Sequence, residues 1–202
     1  MPYGIPFFMT FDSMSNTLFP VFLKLEQMNL LIVGGGYVGL EKLEAVLRNS
    51  PQTRITLVAP EISEKIQKLT ETYAIELVFK PYDKSMLVNK NLVIVGTGVH
   101  EVSRQVQEDC RAENILVNVA DQPELCDFYL SSVVNKGDLK IAISTNGKSP
   151  TFAKRFREIL EEILPDSIQE TLDNLRSIRD RLKGDFEYKV EKLNEITKVM
   201  KE

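Results

Sequence analysis

Three glycines, Gly34, Gly36 and Gly39, stand where the apolar run LLIV (30–33) gives way to a helical pattern. A tight strand-to-helix turn needs one glycine at most; the others imply that something must approach the main chain closely. The G-x-G-x-x-G spacing fits that need. Gly34 makes the turn, Gly36 admits a pyrophosphate to the backbone, and Gly39 lets helix and strand pack closely. The helix N-terminus adds unpaired N–H groups and the positive end of its dipole. The expected nucleotide contacts are therefore the whole turn, with Gly35, Tyr37 and Val38 between the motif glycines. An acidic residue about 20 positions on is expected to hold the ribose hydroxyls. Glu61, after Ala59 and Pro60, is the candidate, although a first-turn charge on a following helix would explain it equally. No Arg or Lys lies within residues 58–63 to hold a 2′-phosphate, which favours NAD over NADP.

The remaining chemistry is sparse. His100 is the sole histidine, which excludes a His-based metal cluster, and no C-x-x-C exists. Asp121 follows the apolar run ILVNVA (115–120), which places a carboxylate at the carboxyl edge of the sheet, where ligands of open α/β folds bind. A turn before Pro123 would also account for it, and Glu124, Asp127 and His100 are its rivals for proton handling.

The elements that must position these residues follow from periodicity. Strands are expected at 30–33, 54–60, 75–80, 91–96 and 115–120. Helices are expected from near Tyr37 (burying Val38, Leu43, Val46 and Leu47), over 61–73 and around 100–112. Alternating elements with near-continuous apolar strands argue for a parallel sheet covered on both faces. The pattern then changes. FYLSSVV (128–134) and LKIAIST (139–145) flank NKGD and read as a hairpin with a four-residue loop. From Ser149, an N-cap followed by Pro150, the chain is helical, with Pro165 and Gly184-Asp185 as breaks. The expected division is residues 14–121, a Rossmann-type domain; 122–148, a strand-rich segment; and 149–202, a helical domain. The stretch before Met14 is expected to be an extension rather than a signal peptide, since it lacks a basic start and carries two prolines.

Composition agrees with a soluble globular protein: 43% hydrophobic, 27% charged, net charge −4. That balance offers no broad basic surface for nucleic acid, and no apolar stretch approaches the roughly 20 residues that span a bilayer. Two cysteines, Cys110 and Cys126, make no disulfide framework and read as buried thiols in a reducing, cytoplasmic setting.

The segments LFPVFLKLE, LIVGGGYVGLEK, NVADQPELCDFYL and IAISTNGKSPTFAKRFREILE together resemble the precorrin-2 dehydrogenase family, the dehydrogenase/ferrochelatase part of siroheme synthases. The resemblance covers about residues 17–165. It implies a Rossmann domain, a dimerisation segment and a small helical domain, forming a homodimer. The implied reaction is NAD-dependent oxidation of precorrin-2 to sirohydrochlorin, with Fe(II) insertion in some members. It also implies cofactor contacts at Gly96, Thr97 and Gly98, within a GTGVHEVSRQV stretch that departs from the family's usual Ala-Ala-Thr-Asp-Asp type. Precorrin-2 carries many carboxylates, so Thr145, Lys148, Ser149 and Arg157 are the expected substrate contacts; a solvated helix face and a helix cap are the plainer explanations. Two rivals to dehydrogenation remain: chelation as the main activity, and a non-catalytic module that responds to NAD.

Overall fold

A computed structural model describes residues 16–198. The expected boundary at Met14 and the extension before it lie outside the described residues. Two compact units divide the chain, the first ending at Cys126 and the second beginning at Asp127.

The first unit is a five-stranded parallel sheet. Its strands are β1 (Asn29–Val33), β2 (Arg54–Val58), β3 (Ile75–Val78), β4 (Leu92–Val95) and β5 (Leu116–Val119), in the order β3-β2-β1-β4-β5. The central strands are apolar without alternation because both faces are covered: Leu30, Leu31, Ile32, Val93 and Val95 are wholly buried. Helix α1 (Tyr37–Asn49) follows β1 and buries Leu43, Val46 and Leu47. Helix α2 is the short Glu64–Leu69, and α3 (His100–Ala112) buries Val106 and Cys110 with Leu31, Val33, Val93 and Val95 in one apolar cluster.

Register is what builds a site here. Val33 pairs with both Val58 and Val95, Val58 with Val78, and Val95 with Val119, so all five strands end on one rung. The ladder runs one bond further, through Gly34 N to Val58 O, Ala59 N to Val78 O, Gly96 N to Val33 O and Ala120 N to Val95 O. The loops that follow therefore leave the sheet at a common level.

Two expectations about the first unit change. Helix α2 covers only Glu64–Leu69 rather than 61–73, because Ser63 is its N-cap and the Ser63 N–H donates to Gly35 O. Val38 is half-buried rather than in the core, since it faces a cleft beside the glycine turn.

The second unit holds the antiparallel pair β6 (Ser132–Lys136) and β7 (Leu139–Ile143), then α4 (Pro150–Ile163), α5 (Ile168–Arg181) and α6 (Phe186–Thr197). The expected four-residue loop is a two-residue one: Asn135 pairs with Lys140 and Lys136 with Leu139, leaving Gly137-Asp138 as the turn. Gly137 has φ +60, which allows the tighter turn, and the first arm runs over Ser132–Lys136 rather than 128–134. Helix α4 packs on β6, with Val134 and Ala153 as the buried pair.

Candidate nucleotide-binding site

The loop after β1 is built almost entirely from glycine, and each position has a different reason. Gly34 has φ +129, and a Cβ there would run into Gly96 O. A Cβ on Gly39 would strike Gly34 O, and one on Gly35 would strike Glu61 O. These three are packed against backbone and tolerate no side chain. Gly36 is different. It is exposed, its φ of −89 is open to any residue, and a Cβ there would meet nothing within 4 Å. Nothing inside the chain crowds a side chain at Gly36, so the backbone there is open to approach from outside.

Gly36 is also the N-cap of α1 and makes no side-chain cap bond. The first N–H groups of a helix have no partner within it, and the first intrahelical bond here is Leu40 N to Gly36 O. An anion placed over Gly36 would meet those donors and the positive end of the dipole. The residues present fit a dinucleotide's pyrophosphate.

These groups open into a cleft of about 460 Å³. It is lined by Gly34–Val38 from the first loop and Gly96, Thr97 and Gly98 from the loop after β4; Gly39 stays behind it as packing. Gly98, like Gly36, has open space where a Cβ would be. Glu61 sits on the lip, three residues before α2 begins, so it is not a first-turn charge of that helix. Sequence reading missed Pro81 and Tyr82, which also line the cleft. They follow β3, whose Val78 shares the rung of Val58. A Pro-aromatic pair just past a strand end was the available signal, but it carries weight only once the register is known.

Asp121 stands two residues beyond β5, exposed, and is not among the residues lining that cleft. Its φ is +60, a left-handed conformation that Asp and Asn adopt more readily than most residues. The turn is tied down by Cys126: the Val119 N–H donates to its Sγ at 3.2 Å, and the thiol reaches Val119 O at 3.2 Å and Gln122 O at 3.4 Å. His100, first residue of α3, places Nδ1 3.1 Å from Gln122 Oε1. Among the described residues no cluster of three or more His, Cys, Asp or Glu could hold a metal ion.

The expected substrate contacts all belong to the second unit. The Ser149 N–H donates to Thr145 Oγ1 at 3.1 Å, and Ser149 Oγ accepts from the Phe152 N–H at 3.2 Å, so Ser149 caps α4. Lys148 is exposed in the turn before it, its N–H donating to Thr145 O. Arg157 is mostly buried, its Nε 3.9 Å from Glu161 Oε1 and without a hydrogen-bond partner. An arginine with an unsatisfied donor can still take a carboxylate.

The sheet order, the common rung and the glycine turn define a Rossmann-type nucleotide-binding domain. The family model described as putative NAD(P)-binding matches residues 21–132, over half the chain, and the chain belongs to that family. The model for the sirohaem biosynthesis protein central region matches residues 136–163. A siroheme synthase from Psychrobacter arcticus is 36% identical over 172 residues, 85% of this chain and 30% of that protein. One from Pseudoalteromonas translucida is 36% identical over 169 residues, 84% of this chain and 35% of that protein. The chain thus spans about a third of the length of the curated relatives it matches. A solved structure, SirC, precorrin-2 dehydrogenase, superposes with a TM-score of 0.71 at 27% identity, covering 89% of each chain. The resemblance read from the four sequence motifs holds.

Proposed function

We infer that this chain is an NAD-dependent oxidoreductase that converts precorrin-2 to sirohydrochlorin in siroheme or cobalamin biosynthesis. The observation that carries it is the bare backbone at Gly36, in a chain matched over 89% of its length by a precorrin-2 dehydrogenase. NAD, when bound, accepts the hydride that leaves the substrate. The residues proposed to hold it are Gly34–Val38, with Gly96, Thr97 and Gly98 opposite, Glu61 at the ribose and Gly39 packed behind the turn. The absence of a cation over 58–63 supports NAD rather than its 2′-phosphorylated form.

Loss of a hydride and a proton leaves a proton for the protein to place. Asp121 is the group proposed to take it, because it is an exposed carboxylate at the same sheet edge as the glycine turn. Thr145, Lys148, Ser149 and Arg157 are proposed to bind the substrate's carboxylates, the two cations supplying charge and the two hydroxyls hydrogen bonds. Functionally we divide the chain at 14–121, 122–148 and 149–202, the middle segment serving a homodimer, because a two-stranded hairpin alone is marginal in water. Fe(II) insertion into the product, as a second substrate, is supported by the siroheme synthase relatives, and Asp121 would then take up the pyrrole protons. A cytoplasmic location is supported by the two cysteines, neither of which is in a disulfide.

The test is a paired assay. NADH formation from precorrin-2 is expected, and metal insertion into sirohydrochlorin without NAD reads chelation separately. A protein that binds NAD yet forms no NADH from precorrin-2 would be a nucleotide-responsive module instead.

A further inference from the structure

Among the described residues the carboxylate of Asp121 makes no hydrogen bond or ion pair. Its position is therefore set by the main chain on either side of it. On one side the Ala120 N–H donates to Val95 O, which continues the ladder of the sheet. On the other stands Gln122. Its N–H donates to Val119 O, and its own carbonyl accepts from the Leu125 N–H and the Cys126 thiol. Those bonds are local to the turn. A further contact ties the turn to a different loop: His100 Nδ1 lies 3.1 Å from Gln122 Oε1.

The two partners come from the loops after β4 and β5. His100 is the first residue of α3 and comes directly after Gly96, Thr97, Gly98 and Val99, which line the nucleotide cleft. His100 itself does not line it. A carbonyl oxygen can only accept, so the ring proton sits on Nδ1 and Nε2 is left as an acceptor. Histidine free in water favours the opposite tautomer, so this bond leaves a mark on the ring that can be read. His100 is exposed and Gln122 half-buried. A hydrogen bond within reach of water adds little to stability, because water replaces it readily. What it does fix is the distance between the two loops.

We propose that His100 is a positioning residue, which holds the turn after β5 through Gln122 so that the Asp121 carboxylate keeps its place beside the nucleotide loop. This rests on the dehydrogenase reading and the proton role of Asp121 given above, and adds what keeps that free carboxylate in position. Without the bond the turn is free to drift by an ångström or so. Misplacing a reacting group by that much costs as much as about 100-fold in rate.

The experiment uses the full, untagged chain, in which His100 is the sole histidine, so one imidazole gives every ring-nitrogen signal. Nitrogen NMR of the neutral ring in alkaline buffer is expected to show the Nδ1–H tautomer in wild type and a shift toward Nε2–H in Gln122→Ala. His100→Ala and Gln122→Ala should each lower kcat for NADH formation from precorrin-2 by about tenfold to 100-fold. Kd and KM for NAD and the melting temperature should stay unchanged. The double variant should be no slower than either single one, because the same bond is lost in all three. His100→Asn should recover most of kcat, since its amide N–H can replace Nδ1–H but cannot exchange a proton. If His100→Ala does not fold, Gln122→Leu, which removes the acceptor, takes its place with the same expectation. An Nε2–H tautomer in wild type would overturn the proposal, as would unchanged kcat in both single variants or losses that multiply in the double one. His100→Asn as slow as His100→Ala would also overturn it and make the imidazole itself the proton carrier. A wild type that shows the Nδ1–H tautomer yet forms no NADH would overturn the dehydrogenase reading, and the positioning role with it, a distinct outcome.

Discussion

Gly36 separates what a residue does for its own fold from what it does for a ligand. A side chain at Gly34, Gly35 or Gly39 would collide with backbone oxygens, so substitution there disturbs the chain whether or not nucleotide binds. Gly36→Val should instead leave the melting temperature unchanged, because its φ is ordinary and the space is open. NAD affinity should fall by at least an order of magnitude, since only the approach of the pyrophosphate is blocked; calorimetry with thermal melts decides it. Asp121 poses the complementary problem. Asn keeps its size and suits its left-handed φ as well as Asp does, so Asp121→Asn should be as stable as wild type. It cannot take up a proton, and general acid–base groups contribute about 10²–10⁴-fold. Turnover of precorrin-2 should drop by that order while NAD still binds. Near-normal NADH formation would return Asp121 to the role of turn residue and leave Asp127 and His100 as the next groups to test.

At the scale of elements, α4 shows a residue with two claims on it. Ser149 caps the helix through the Phe152 N–H and receives no help from acidic residues in the first turn. Ser149→Ala should cost about 1 kcal/mol of stability, the usual value for a lost cap, read by urea denaturation. Ser149→Asn should restore that stability, because Asn caps equally well. If Ser149 also binds a substrate carboxylate, KM for precorrin-2 should rise in both variants; a KM unchanged in the Asn variant would confine Ser149 to capping. The hairpin before α4 shows the opposite case, where one residue resets an element. Because Gly137 accepts φ +60, the turn closes in two residues, and Asn135 and Lys136, expected in the loop, join the first arm and pair with Lys140 and Leu139.

For the whole molecule, the exposed apolar surface of the second unit is the feature to explain. Phe152, Phe156, Ile159 and Ile163 are exposed along α4, with the rings of Phe152 and Phe156 stacked at 5.9 Å between centroids. That spacing makes one stripe, continuous along the helix that packs on β6. With the unpaired edges of the two-stranded sheet, it supports the proposed homodimer. Light scattering at micromolar concentration should give twice the 23.0 kDa chain mass. Phe156→Glu should shift it toward monomer, because a charge in an apolar interface is costly to desolvate. A wild-type monomer would remove the dimer and leave the stripe to another partner.

Local pattern was enough to determine much of this protein. Apolar runs without alternation marked the buried parallel strands, helical spacing marked α1 and α3, and Ser149-Pro150 marked the start of α4, because each is set by residues near one another in the chain. The motif at 34–39 was legible for the same reason: strand, turn and helix are contiguous. What depended on distant parts of the chain was not legible. Glu61 looked like a helix residue until the contact of Gly35 with its carbonyl and the Ser63 N–H bond to Gly35 delayed α2 to Glu64. Nothing local is enough to mark Tyr82; the Val58–Val78 register brings the end of β3 to the same edge as the glycine turn, and Asp109, 27 residues away, accepts its hydroxyl hydrogen bond. Pairing partners and strand order are properties of the folded sheet, set by which surfaces bury each other. Only the tertiary structure could therefore decide which loops meet around the glycine turn.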